Sequence, residues 1–305
     1  MYVTPEQIQS VNKANVETLL SVASTQFAAI EKLAALNASA IKAVFEDSLA
    51  NTRARIERAR GVKNAVLQRF FYHALGETAY ANRPGKELPI GWRLIAMDGL
   101  LAEEPKNGLS PNASSQPPGI PTFSIAAIRD GRVDLESPDH LKYTRVPDAA
   151  AQRFRVQRGD VLIVRGNANP DLVGKAGMVS RFPSDCIYPD IAKRVVFRAD
   201  GELTVSPEFG VLAWNHPVVH NQVLRRAKTS NGTLKINTRD VKQIVMPVPT
   251  QQEQTDLVQL VGGVDAEIEA LRAVELAQQQ LKCSLMHDLL TGGVRVQKQA
   301  RAAAS

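Results

Sequence analysis

The chain has 305 residues, 44% of them hydrophobic and 22% charged, enough for one or two ordinary cores. Aromatic residues make up only 5%, which argues against an aromatic-rich sandwich. The formal net charge of +6 and a pI of about 9.4 suit a polyanionic partner without proving one.

The charge is uneven. Residues 1–52 hold three Lys and no Arg against five acidic residues, a net of −2, so the remainder carries +8. This asymmetry predicts different partners for the two parts. Cys186 and Cys283 lie 97 residues apart with no Cys-x-x-Cys pair, which argues against a zinc ribbon and a disulfide framework. There is no signal-peptide pattern and no apolar run of 18 residues, so a cytoplasmic location without membrane contact is expected.

The first helix is predicted from Thr4 to Leu49. Thr4, Pro5 and Gln7 form a capping-box start, and Ile8, Val11, Leu19, Val22, Phe27, Ile30, Leu33, Ile41, Val44, Phe45 and Leu49 recur at helical spacing. Composition then changes near Thr52, with Arg53, Arg55, Arg58 and Arg60 in quick succession. A second helical stretch runs from Ile56 to about Leu75, carrying Val62, Val66, Leu67, Phe70 and Phe71, and Gly76 ends it.

From Leu88 the pattern turns to short β-like runs broken by turns. Strands are predicted at Thr122–Ile128, Val161–Val164, Ala176–Val179, Arg194–Phe197 and Leu203–Val205, while Ser110–Pro121 reads as a loop. The last long helix runs from about Gln251 to Leu290. Leu257, Val261, Val264, Ile268 and Leu271 are spaced 4, 3, 4, 3, a heptad seam that calls for a partner helix, with Val66 and Phe70 as candidates on the other rod. The next seam positions are Glu275, Gln278 and Lys282, so the apolar stripe lapses there.

This order of elements resembles the specificity subunit of type I restriction-modification systems. Leu88-Pro89-Ile90-Gly91-Trp92 looks like the opening of its target recognition domain. Lys106-Asn107-Gly108-Leu109-Ser110 and Thr122–Val133 fit its early core, and Arg158–Arg165 resembles its Gly-Asp-Val-Leu strand. Lys235-Ile236-Asn237, then Ile244–Pro249 and Glu253-Gln254, resemble its junction into the conserved helix, whose end matches Lys282, Leu285-Met286 and Leu289–Val296. Two features depart from the pattern: Thr250-Gln251-Gln252 follows Pro249, and only one recognition domain is present, so the chain resembles the C-terminal half of such a subunit. Met1 to about Ala50, with Thr4–Gln7, Lys13-Ala14-Asn15, Glu17-Thr18-Leu19 and Glu31-Lys32-Leu33, resembles the opening of phasins, which coat polyhydroxyalkanoate granules through amphipathic helices. A plain coiled-coil arm is the other reading of that helix.

The expected fold is α+β: one mixed target recognition domain flanked by long coiled-coil helices, with an extra N-terminal amphipathic helix. Its segments are a phasin-like helix at 1–52, a spacer helix and linker at 53–87, the recognition domain at 88–249, a coiled-coil helix at 250–296 and a basic tail at 297–305. The resemblance implies a non-catalytic subunit that reads half of a bipartite site in double-stranded DNA and docks methyltransferase and motor subunits. In that family S-adenosylmethionine and ATP belong to those partners, so no cofactor, metal or catalytic residue is expected here. A homodimer through the helices is a further expectation, and a granule protein or a fusion without function are the alternatives.

Candidate DNA contacts are Arg165, Asn167, Asn169 and Lys175, together with Arg225, Arg226, Lys228, Thr229, Asn231, Lys235 and Asn237. Arg and Lys suit phosphates and guanine edges, and Asn suits adenine, although polar loop residues often face only water. His216 and His220 lack the Glu of a zinc-protease helix, and Pro217 argues against a helix at that position. Trp92 and Trp214 are expected in the core, and Cys186 and Cys283 as inert small residues. Gly174-Lys175 is not a P-loop. Pro189-Asp190 with Asp240 and Lys242 resembles a nuclease metal site only loosely.

Overall fold

The computed structural model describes residues 21, 38–75, 88–109, 112–183, 185–201, 203–230 and 232–291. The phasin-like stretch before residue 38, apart from Ser21, and the tail after 291 therefore lie outside the described residues. The chain divides into two compact units: Met1–Val66 with Gln259–Ser305, and Leu67–Val258.

In the first unit, helix α1 (Ala38–Leu75) meets the long C-terminal helix (Gln251–Thr291). The expected break between a helix ending at Leu49 and one starting at Ile56 is absent, and α1 runs on through Gly61. A glycine inside a helix costs only about 1 kcal/mol, less than an apolar seam recovers. That seam is made by Ile56 and Ala59 against Val264, Ile268 and Leu271. A Cβ on Gly61 would touch nothing within 4 Å. Gly61→Ala is accordingly expected to stabilise the chain by about 0.5–1 kcal/mol in denaturant melts.

The pair is antiparallel, as five cross-helix contacts in opposite chain order require. Lys63 Nζ lies 2.7 Å from Asp265 Oδ1, Arg53 Nε 2.6 Å from Glu275 Oε1, and Lys282 Nζ 3.3 Å from Glu46 Oε1. Gln278 Nε2 donates to Ser48 Oγ at 2.9 Å, and its Oε1 accepts from the hydroxyl of buried Thr52 at 3.1 Å. The lapse in the heptad stripe at Glu275, Gln278 and Lys282 is thus met by polar partners on α1. Directed polar contacts inside an apolar seam favour one register over its slipped alternatives.

The second unit is mixed helix and sheet. Its elements are β1 (Arg93–Ala96), α2 (Met97–Leu100), β2 (Lys106–Asn107), β3 (Ala113–Ser114), β4 (Ile120–Phe123), β5 (Ile128–Arg129), β6 (Arg132–Val133), β7 (Leu141–Thr144), α3 (Asp148–Ala151), β8 (Val161–Val164), β9 (Gly166–Asn167), β10 (Ala176–Met178) and β11 (Ala192–Val195). They are followed by α4 (Pro207–Asn215), α5 (Pro217–Arg226), β12 (Lys228–Ser230), β13 (Thr233–Lys235), α6 (Thr238–Lys242), β14 (Val245–Val248) and α7 (Gln251–Thr291).

The main sheet has the order β2-β11-β8-β10-β6-β5. Every residue of β8 is buried, as a short apolar run in the middle of a sheet demands. Leu162 and Val164 on one face join Phe123, Val133, Leu135, Tyr188 and Ala192 in the main core.

Several expected strands differ. Thr122–Ile128 splits into β4, a 3-10 turn at Ile125–Ala127 and the start of β5. Leu203–Val205 is not a strand. The expectation that Pro217 forbids a helix is corrected, because Pro217 is the first residue of α5. Proline suits that position: its missing N–H would have no intrahelical acceptor anyway, and its φ is preset. His216 is the N-cap, its Nδ1 accepting from the Val218 N–H at 3.3 Å.

The landmark motifs meet at fixed points. Trp92 Nε1 donates to Glu253 Oε1 at 3.1 Å, and the other oxygen of Glu253 accepts from the Thr250 N–H at 3.0 Å. Thr250 is therefore the cap that starts α7, which explains the residue found there in place of the usual pattern. Gln254 is buried, and its amide bridges the carbonyls of Thr204 and Pro249. Trp214 is also buried and donates to the Gly174 carbonyl at 2.6 Å.

Candidate nucleic-acid interface

The fold brings two distant basic stretches into one small sheet of order β12-β13-β9. Chain β8 is buried, but at Arg165 it leaves the main sheet and pairs with β13, so Asn167 faces Leu234 and Gly166 faces Lys235. β13 in turn pairs with β12, matching Leu234 to Thr229 and Lys235 to Lys228. Pleat alternation puts Asn167, Leu234 and Thr229 in one row across the ribbon, and Gly166, Lys235 and Lys228 in the other. A Cβ on Gly166 would come within 2.9 Å of the Leu234 carbonyl and of the Lys235 side chain, so this crossing needs glycine. Gly232, with φ +72°, turns the hairpin.

Lys228, Thr229, Lys235, Arg225, Asn169 and Asn237 are exposed; Arg165, Asn167, Lys175 and Arg226 are half-buried. Asn231 lies outside the described residues. Some of these side chains already have structural duties. Arg165 reaches Asp190 at 3.6 Å. The side-chain oxygens of Asn167 and Asn169 accept from the backbone N–H groups of Asn169 and Asp171. Arg226 donates to the carbonyls of Gln222 and Gln243 at 3.4 and 3.5 Å. Asn237 caps α6 in a reciprocal box with Asp240. Lys175 is outside the ribbon; its backbone pairs with Val164, and its charge acts on His220.

Of the helix-seam candidates, Val261, Ile268 and Leu271 are buried and Val264 packs beside them. Val66 is half-buried and Leu257 buried. Phe70 sits in an aromatic cluster, its ring 5.2 Å from those of Phe71 and Trp92 and 6.5 Å from that of Phe209.

In and beside the main sheet lie groups that gave little signal in the sequence. Lys193 is 1% exposed, and its Nζ donates to Asn107 Oδ1 at 2.6 Å and Thr238 Oγ1 at 2.9 Å. Burial, reinforced by the nearby Arg165 charge, lowers its ammonium to about 8. A lysine in a short strand reads as solvated, so only the packing reveals it. Asp160, of the Gly-Asp-Val-Leu landmark, is buried; it accepts from the Gln157 N–H at 2.8 Å and lies 3.8 Å from Arg194. Asp190 and Asp240 have separate partners, and no His/Cys/Asp/Glu cluster able to hold a metal occurs among the described residues. None of their helices is long and apolar enough to cross a membrane.

The chain aligns at 27% identity over 162 residues with the type I restriction enzyme EcoKI specificity subunit of Escherichia coli K12, covering 53% of this chain and 33% of that protein. It is similar to type I restriction enzyme specificity subunits. A protein described as the MjaX specificity subunit, from Methanocaldococcus jannaschii, is 22% identical over 215 residues, 68% of this chain and 47% of that one. The chain thus spans between a third and a half of these specificity-subunit relatives. The crystal structure of the HsdS subunit from Thermoanaerobacter tengcongensis superposes with a TM-score of 0.46 at 15% identity, covering 82% of this chain and 56% of that one. A family model described as "Phasin protein" matches residues 6–65, running past the composition change near Thr52 into the arginine-rich part of α1.

Proposed function

We propose that this chain is the DNA sequence-recognition subunit, or half-subunit, of a type I restriction-modification system. The observation that carries the reading is its alignment with the EcoKI specificity subunit. The ribbon supports it, since it gathers Arg165, Asn167, Lys228, Thr229 and Lys235 into one polar, basic element. Asn167 and Thr229, on one face of the ribbon, present hydrogen-bonding groups to base edges, while Lys228 and Lys235, based on the opposite face, use their long side chains to reach phosphates at its flank. The subunit is non-catalytic, reads one half of a bipartite site and docks methyltransferase and motor subunits through its helices. A two-fold dimer through those helices would read a palindromic target. A single monomeric mass in light scattering at high concentration overturns the dimer.

The decisive test is genomic methylation mapping with a cognate methyltransferase subunit, with and without this chain. The expected result is loss of one bipartite class of methylated site. An unchanged map overturns the reading. In duplex-binding titrations, Lys228→Ala with Lys235→Ala is expected to weaken binding about equally for all sequences and to lower the salt slope by about two. Asn167→Ala is expected instead to alter the preferred sequence.

The phasin match favours a second reading, association with polyhydroxyalkanoate granules. Against it, part of the matched segment already buries Ile56 and Ala59 on α7. Co-sedimentation of the full chain with purified granules distinguishes the two.

A further inference from the structure

We infer that Lys193 is a positioning residue for the β12-β13-β9 ribbon, tying the main sheet to the point where β13 ends and so setting the ribbon's aim at DNA. This rests on the ribbon being the DNA-contacting element, as proposed above.

The geometry is a three-way tie. Lys193 belongs to β11, and Asn107 is its cross-strand neighbour on β2. Its second acceptor, Thr238, opens α6 three residues after Lys235 and also donates to the Pro105 carbonyl at 3.2 Å. Between Lys235 and Thr238, buried Ile236 donates its N–H to the Arg165 carbonyl at 2.9 Å, and Arg165 donates its own to the Ile191 carbonyl at 2.8 Å. Both outer supports of the ribbon, the exit of β8 into β9 and the exit of β13 into α6, therefore converge on the strand that carries Lys193.

The contacts of Lys193 are unusual for a buried cation, because its hydrogen bonds end on a neutral amide oxygen and a hydroxyl. Buried charges are ordinarily paired with an opposite charge. The charged groups acting on it are Arg165, which repels it, and Glu104, which attracts it; Asp190 is engaged with Arg165. A methionine of similar length would fill the space without the desolvation cost. The ammonium contributes instead directed donors from a fixed point, which lock Asn107 and Thr238 to each other.

A purely structural lysine and a positioning lysine diverge with pH. Burial holds this group near 8, against 10.5 ordinarily, so between those values the unfolded chain binds more protons and stability rises with pH. Over the same range the folded chain loses the charge; the neutral amine keeps two N–H donors, but its hydrogen bonds to Asn107 and Thr238 weaken, and discrimination between DNA sequences is expected to fall. Guanidinium and carboxylate groups keep their charges in this range.

The test uses the full chain and a pool of duplex DNA with a randomised core, comparing an enriched duplex with its scrambled form from pH 7 to 9.5. The expected result is a several-fold loss of discrimination with a midpoint near pH 8, while the melting temperature holds or rises. Lys193→Met is expected to discriminate poorly at every pH with an unchanged salt slope, and Lys193→Arg to restore a pH-independent preference. A wild-type preference flat with pH, or full discrimination by Lys193→Met, overturns the assignment while leaving the DNA-reading function intact. A wild-type chain that enriches no sequence overturns that function, and this role with it.

Discussion

Gly108→Ala is expected to lower the melting temperature of the Leu67–Val258 unit by about 10 °C. Gly108 follows β2 at the edge of the main sheet, where a Cβ would overlap the carbonyl oxygens of both Tyr188 and Pro189. Its N–H also donates to the Ala192 carbonyl at 3.2 Å, and the next residue, Leu109, donates to that of Tyr188 at 3.1 Å. The obstacle is backbone, so no side-chain rotation relieves it, and the β2–β11 edge must separate. Overpacking of this kind costs about 3 kcal/mol, and each kcal/mol lowers the midpoint of a domain this size by roughly 2–4 °C. The same loss reaches the ribbon, since Asn107 is one of the two acceptors of Lys193. Calorimetry on the variant checks this, and a midpoint within a degree or two of wild type would show that the sheet edge yields without cost.

Acidification from pH 6.5 to pH 4 is expected to destabilise the same unit through His216 and His220. Both are 6% exposed, and burial lowers each imidazole from its ordinary 6.5 to about 4, helped at His220 by the charge of Lys175. In that window the unfolded chain protonates both rings while the folded chain keeps them neutral. The contribution of these two rings is therefore whole above pH 6.5, falls as the pH drops, and levels off below about 4. The arithmetic of one pKa unit sets an upper bound on the order of 3 kcal/mol for each ring. The packing accounts for the neutral form. The His216 ring lies 4.6 Å from that of Phe71, its Nδ1 caps α5, and its Nε2 is 3.2 Å from Gln68 Oε1. The Nδ1 of His220 is buried without a hydrogen-bond partner. Glu103, held below the usual carboxylate range chiefly by its hydrogen bond to Lys106, contributes only further down the pH scale. His220→Leu should remove about half of the slope between pH 6.5 and 4 in guanidinium titrations. An unaltered slope would move the acid sensitivity to other groups.

The long elements and the family landmarks were legible in the linear order of residues. Heptad spacing from Leu257 to Leu271 specifies a helix that must pair, because a stripe repeating at 3.5 residues buries itself only against another helix. Val161–Val164, flanked by Gly159-Asp160, specifies a buried strand for a similarly local reason. What remained hidden depended on partners far along the chain. The polar seam at Gln278 looked like a failing stripe until Ser48 and Thr52 came opposite it, about 230 residues away. Pro217 looked like a helix breaker because its place in the helix depends on where the helix starts, and the preceding turn decides that. The ribbon joins residues 165–167 to residues 228–235, and its register comes from hydrogen bonds between strands. Lys193 is the clearest case. Its own sequence allows a solvated side chain as readily as a buried one, and only the closure of β2 and α6 over β11 removes it from water.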